Sequence, residues 1–346
     1  MKPYAENSVA PAGPSITPRA IIAPRDISFM ICVEGNALGS QSLLLCESLR
    51  QFGGAYADCE IWAISPRPEH PVTPAVEHAL QTLGVRVVTL PLNTTGSAYG
   101  SINRIVAGAW AERHMTTPYV GILDTDTLFI RPPTFVEAGA GVRPVDHKGT
   151  ATAGVDDPKD VYWGEICDLG GIPLDRLPLL RTTCCKTAIR ASYNGGFLIA
   201  RRSLGILAHT DKIFFETYRR DLRPTPSATQ IFASCGQAGP EAASWWGSSQ
   251  AALSAAISAK TDDILIYDNA YNIPLHIFSE TRQRLFSLRP SFPFDPGDAV
   301  LVHYHYLAAQ KHRTRFLKTL KQIHCPPNVA KWISQRCSEL DWPIAG

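Results

Sequence analysis

Apolar residues in the first 130 positions follow two alternating patterns. Short, largely apolar runs at Ile27 to Val33, Cys59 to Ile64, Arg86 to Leu90 and Tyr119 to Leu123 have the length of buried strands. Between them the apolar residues recur at helical spacing. One helix is predicted from about Gln41 to Phe52, with a stripe of Leu43, Leu44, Leu45, Ser48 and Leu49. A second runs from about Ala75 to Leu83, opened by Pro71 to Pro74 and stopped by Gly84. A third spans about Ile102 to His114. Strands alternating with helices predict an α/β fold with a doubly wound, mostly parallel central sheet.

The pattern loosens in the second half. Residues 138–190 and 220–247 are rich in Gly, Pro and Asp, and they are expected to form irregular walls and lids. Ser192 to Ala200 holds a turn feeding a short buried strand. Helices are expected at Ser203 to Arg220 and about Ser248 to Ala259, and strands at Ile264 to Tyr267 and Ala299 to Val302. Arg313 to Ile323 has the spacing of a basic amphipathic helix. These elements divide the chain into a loosely packed arm at 1–24, rich in Pro, Ala and Ser, a single domain at 25–325 and a tail at 326–346. Within the domain, 25–135 forms one half and 136–310 the other.

Composition narrows the class. The 346 residues are 45% hydrophobic and 18% charged, enough to bury a large core. A net charge of +2 gives no nucleic-acid or membrane field, and no apolar run has the length of an integral membrane segment. The start of the chain lacks the apolar core of a signal peptide. Nine scattered cysteines, with no Cys-x-x-Cys pair, are expected to be reduced thiols in a cytoplasmic protein. The sequon at Asn93 to Thr95 then carries no sugar.

The chemistry centres on the end of the fourth strand, Leu123-Asp124-Thr125-Asp126-Thr127-Leu128. Side chains two apart on an extended chain point the same way, so Asp124 and Asp126 are expected to converge beyond the strand's carboxyl end. Ligands bind at that edge of an open α/β sheet. Paired carboxylates there repel unless a cation lies between them, and hard divalent ions leave coordination places for phosphate oxygens.

Further motifs follow in order: Asn103-Arg104-Ile105-Val106-Ala107, Tyr193-Asn194-Gly195-Gly196-Phe197-Leu198, Tyr271-Asn272-Ile273-Pro274 and Val302-His303-Tyr304-His305. With the Asp-x-Asp strand end, this order resembles glycosyltransferases of the GT-A fold, in particular the glycogenin-like branch that uses nucleotide sugars. The resemblance spans roughly residues 27 to 310. It implies a Mn²⁺ or Mg²⁺ ion held by Asp124, Asp126 and His303, with His305 as the fallback ligand. It places Val33, Glu34, Asn103, Arg104, Asp124, Thr125, Gly195, Gly196 and Lys311 along a nucleotide-sugar donor, with a uridine diphosphate sugar favoured. Asn194 and Gln250 would act at the sugar. The acceptor, whether glycan, protein or small molecule, is not specified.

One departure concerns stereochemistry. The branch has an Asp-Gln pair beneath the sugar, whereas here Ser249 precedes Gln250, after Trp245 and Trp246. An inverting enzyme needs a general base, and no carboxylate stands at that position. Retention is therefore favoured, unless Glu165, Asp168 or Asp262 enters the site from elsewhere. The Trp pair would stack on a sugar or pack in the core. Two alternatives stand beside this reading. One is a haloacid-dehalogenase-type phosphatase, whose Asp-x-Asp-x-Thr motif resembles Asp124 to Thr127-Leu128 loosely and whose late acidic pair Asp262-Asp263 would mimic. That motif normally ends a first strand, not a fourth. The other is a non-catalytic sugar- or nucleotide-binding relative.

Overall fold

The computed structural model describes residues 19–35, 37–233, 236–280 and 298–340. In chain order the elements are β1 (Ile27–Cys32), α1 (Ala37–Phe52), β2 (Ile61–Ser65), α2 (Pro74–Thr82), β3 (Val85–Thr89), α3 (Ser101–His114), β4 (Tyr119–Leu123) and β5 (Thr127–Phe129). There follow β6 (Ala140–Pro144), α4 (Asp160–Gly170), β7 (Leu179–Arg181), β8 (Ala188–Arg190), β9 (Tyr193–Arg201), α5 (Ile206–Arg219), β10 (Ile231–Ala233), β11 (Gly236–Ala238) and α6 (Pro240–Ser244). The last are α7 (Ser248–Lys260), β12 (Ile264–Ile266), β13 (Ile273–Pro274), α8 (Leu275–Glu280), β14 (Leu301–His303), α9 (Arg313–Gln322) and α10 (Pro327–Glu339).

A seven-stranded sheet in the order β12-β6-β9-β4-β1-β2-β3 forms the centre. Only β9 runs against the others, pairing antiparallel with both β4 and β6. The mixed, mostly parallel sheet flanked by helices is consistent with the Rossmann-like α/β architecture expected from the alternating pattern. Both faces are covered, which is why its strands read as continuous apolar runs. On one face Met30, Ile122 and Leu198 pack with α3, α4, α5 and α7. On the other Phe29, Leu123 and Phe197 pack with α1 and a ring cluster around Phe135, Tyr267 and Tyr271. Local signals set the helix ends. Thr73 accepts from the Val76 N–H and Pro74 opens α2, while Gly84, at φ +69°, releases the chain into β3.

A second, three-stranded sheet in the order β13-β14-β5 positions the site. Here β14 pairs antiparallel with β5, setting His303 opposite Thr127. A third apolar cluster, including Leu128, Val302, Tyr304, Phe316, Leu320 and Ile333, lies behind it.

Three expectations change. Residues 138–190 are not simply irregular, because they hold the central strand β6, helix α4 and the hairpin β7–β8. Gly141 weakened the strand signal of β6; it leaves room for the Tyr267 ring, which a Cβ would strike. The tail at 326–346 contains α10, whose Val329, Ile333 and Cys337 are buried and whose Arg336 forks onto Glu47 of α1 at 2.6 Å on each side. Of the arm at 1–24, only 19–24 falls within the described residues. That part is tied down, with Ile22 1% exposed and its N–H donating to Phe135 O. Asn36, after the first strand, lies outside the described residues.

Candidate metal and donor site

Asp124 to Asp126 do not continue β4. The strand ends at Leu123, and the chain turns, with the Thr127 N–H and hydroxyl both donating to Asp124 O at 3.1 and 2.7 Å. Strand alternation therefore does not govern these two carboxylates, and they take different partners. Asp124 is held by Arg104 of α3, with Nη1 2.6 Å from Oδ1. Asp126 is 3% exposed and faces the last strand instead.

That strand and the turn after it supply two histidines. His303 Nε2 lies 3.1 Å from Asp126 Oδ2, and His305 Nδ1 lies 3.3 Å from the same oxygen. The Tyr304 N–H donates to Asp126 O at 2.9 Å, which clips the two segments together. His305, the expected fallback ligand, does not reach the cluster along the strand. β14 stops at His303, and His305 takes φ +50°, a left-handed conformation unusual for a residue with a side chain. Its ring stacks on His303 at 3.9 Å between centroids and meets the edge of His276 at 3.8 Å.

Asp126, His303 and His305 thus place one ligand atom each within 4.8 Å of one another. Asp124 is not a member of this group, contrary to its expected place beside Asp126. His303 is 3% exposed, yet among the described residues neither ring nitrogen makes an aligned hydrogen bond, its Nε2 approach to Asp126 included. Two imidazoles and a carboxylate that converge in this way fit a first-row divalent ion. The electrostatics agree. Burial opposes charge on Asp126, but the neighbouring His303 overrides it and holds the carboxyl well below its ordinary range. Burial likewise opposes charge on His303, and Asp126 reverses the effect, lifting the imidazolium to about 9. His305 goes the other way, lowered by burial and by the His303 charge. A proton on His303 supplies the positive charge that Asp126 requires.

The Asn194-Gly195-Gly196 turn lies against the Arg104–Asp124 pair. The Gly196 N–H donates to Asn194 Oδ1 at 2.8 Å, and Gly196 O accepts from the Asp124 N–H at 3.0 Å. A Cβ on Gly195 would collide with the Arg104 guanidinium, and one on Gly196 with the Asp124 carboxylate. The glycines are required by this close approach.

Other expected residues have inward partners. Val33 is fully buried. Glu34, 3% exposed, receives two 2.6 Å bonds from Arg67 and one of 2.8 Å from the Asn103 amide. Asn103 in turn accepts from Asn93, so the sequon asparagine is buried in a polar network. Thr125 donates to Gln41. Gln250 opens α7 with no hydrogen bond on its side-chain amide among the described residues, while Ser249 is buried against Tyr99 at 3.0 Å. A cavity of about 30 Å³ lies between Arg104, Gly195 and Ser249. Lys311 is exposed, in the turn Gln310–His312 beyond His305. Trp245 is buried against Tyr218, and Trp246 is 37% exposed.

Asp146, two residues beyond β6, was not among the expected residues. Its carboxylate makes no hydrogen bond or ion pair among the described residues. Burial pushes its pKa up to about 6, although the charges of His303 and Arg143 act to lower it. It follows a short run read as loop, so no periodicity marked it. The expected base candidates are elsewhere: Glu165 and Asp168 are exposed on α4, and Asp262 pairs with Arg176 at 2.6 Å. Asp262 and Asp263 precede β12, which runs in the same direction as β4. They therefore sit at the amino edge of the sheet, opposite Asp124 and Asp126, and do not form the acidic pair of a phosphatase site.

No curated protein matches the chain. Residues 29–233, more than half of the sequence, match the Rhodobacterales glycosyltransferase domain; they carry β1 through β10, with Arg104, Asp124, Asp126 and the Asn194 turn, and the protein belongs to that glycosyltransferase family.

Proposed function

We propose that this glycosyltransferase moves a sugar from a nucleotide-sugar donor, with a uridine diphosphate leaving group favoured, in a reaction that depends on a divalent metal. The observation that carries the reading is the Asp126–His303–His305 group, whose ligand atoms lie within 4.8 Å of one another around a buried carboxylate. Mn²⁺ or Mg²⁺ held there would neutralise charge developing on the diphosphate. The chain's own residues do the rest. Arg104 presents a guanidinium at the same edge, kept charged by Asp124 despite its burial. Gly195 and Gly196 let backbone approach the donor closely, and Asn194, whose Oδ1 is held by the Gly196 N–H, and Gln250 offer amide N–H groups to the sugar. Lys311 would reach the distal phosphate.

The test is thermal melting of the protein with Mn²⁺ alone and with UDP, GDP or phosphate. A ligand that binds only the folded state raises the melting temperature by mass action. A shift that needs both Mn²⁺ and one nucleoside diphosphate is expected. Indifference to every metal–nucleotide pair would overturn the reading.

Ser249, standing where the glycogenin-like branch has Asp beside the Gln, slightly favours retention. Asp146 favours the second reading, inversion, since an unpartnered carboxylate raised toward neutrality suits a general base. The anomeric configuration of the first product, followed by proton NMR, separates the two.

A further inference from the structure

The whole-chain charge of +2 conceals a strong asymmetry. From Ala299 to Ser338 the sequence contains seven Lys and Arg residues and no Asp or Glu. Subtracting that +7 from +2 leaves −5 for all other positions. Two of the seven are engaged: Arg313 with Ser338 and Cys337 O, and Arg336 with Glu47 and Glu339. The side chains of Lys311, Arg315, Lys318, Lys321 and Lys331 make no ion pair or hydrogen bond among the described residues.

Helical geometry gathers most of these on one face. In α9 the buried side chains are Phe316, Thr319 and Leu320. At 100° per residue, Lys318 and Lys321 fall on the opposite side with Arg315 on its flank, and Lys311 lies in the turn just before the helix. The exposed positions Lys311, Thr314, Lys318 and Lys321 run along that side with no acidic side chain among them. The helix packs on α8 and on the turn that carries His305 by its buried side, so the cationic face looks outward about one helix diameter, ~10 Å, from that turn.

We propose that this face docks the protein on the surface of an anionic lipid bilayer. The side chains select that partner. Three of the four cations on the face are lysines, compact charges suited to a diffuse field of headgroups rather than to bidentate reading of a fixed phosphate. A single-stranded nucleic acid would call for aromatic platforms. The one aromatic residue of α9, Phe316, is fully buried, and Trp332 of α10 packs its ring against Phe52. A protein docked by α9 would hold the Asp126 group close to the membrane surface, where a lipid-anchored acceptor would be presented. The docking itself does not depend on the sugar chemistry.

The experiment is co-sedimentation of the full chain with vesicles of phosphatidylcholine alone or containing phosphatidylglycerol. Binding is expected only with phosphatidylglycerol, and it should weaken steeply as salt shortens the Debye length from ~10 Å toward ~3 Å. Lys318→Glu/Lys321→Glu should lower the partition at least ~10-fold, with an unchanged melting temperature and an unchanged response to Mn²⁺ and nucleotide. Lys318→Gln/Lys321→Gln should fall between that variant and the wild type. Equal binding to neutral vesicles, undiminished binding by both variants, or firmer retention on duplex DNA than on phosphatidylglycerol would each overturn the proposal.

Discussion

At the scale of single residues, the two aspartates of Asp-x-Asp have separate work. Asp126 anchors the histidines, and its replacement by Ala should abolish the Mn²⁺-dependent rise in melting temperature together with transfer, while the fold persists. A retained Mn²⁺ response would remove Asp126 from the metal site. Asp124 instead neutralises Arg104, so Asp124→Asn should weaken the nucleotide response more than the response to Mn²⁺ alone. Asp146 gives a prediction of opposite sign for stability and activity. Its folded pKa, about 6, lies above the ordinary carboxylate value, so the folded state holds this proton more tightly. In the metal-free protein that contribution is complete below about pH 4 and is lost as pH rises to about 6. Asp146→Asn should therefore stabilise the metal-free protein at pH 7 by about 1–2 kcal/mol, measured by denaturant titration, while lowering transfer. A destabilised Asn variant would show that the carboxylate is satisfied where it stands. Asp124, Asp126 and His303 were legible in the sequence as chemistry-bearing residues. Their pairing was not, because a tight turn follows Leu123 and removes the alternation from which it was inferred.

At the scale of elements, local chemistry was the readable part. Apolar runs of strand length, the Pro74 start and the Gly84 stop marked the βα units from β1 to β4 to within a few residues. Two kinds of element escaped. β6 escaped because its side chains are matched to a neighbour's ring and not to a period: Gly141 is small where Tyr267 is large. α10 escaped because it follows two prolines and buries only one narrow stripe. Its importance can be measured. Ile333 is fully buried in the cluster behind β14, and Ile333→Ala should cost about 2–5 kcal/mol in chemical denaturation. A loss below ~1 kcal/mol would mean that α10 only rests on the domain. The Asn194 turn makes a sharper claim. Gly196→Ala should displace the Asp124 carboxylate and cost about 1–3 kcal/mol, with loss of the nucleotide response.

At the scale of the whole molecule, sequence order and spatial order part company. The seven-stranded sheet could be anticipated as a class, but the antiparallel insertion of β9 and the small sheet joining β5 to β14 are non-local pairings that no window of sequence contains. The same distance hid the charge asymmetry, since a sum over 346 residues averages a cationic helix against acidic positions elsewhere. The β5–β14 pairing also has a consequence for biosynthesis. Asp126 and His303 are 177 positions apart. At ~5–20 residues per second, a ribosome needs about 9–35 s to travel between them. Throughout that interval the nascent chain has made Asp126 but not the histidines that balance it, and the edge of β5 that receives β14 has no partner from its own chain. Most of the central sheet has been synthesised by then, so the Asp126–His303–His305 group can be completed only on a largely preformed scaffold.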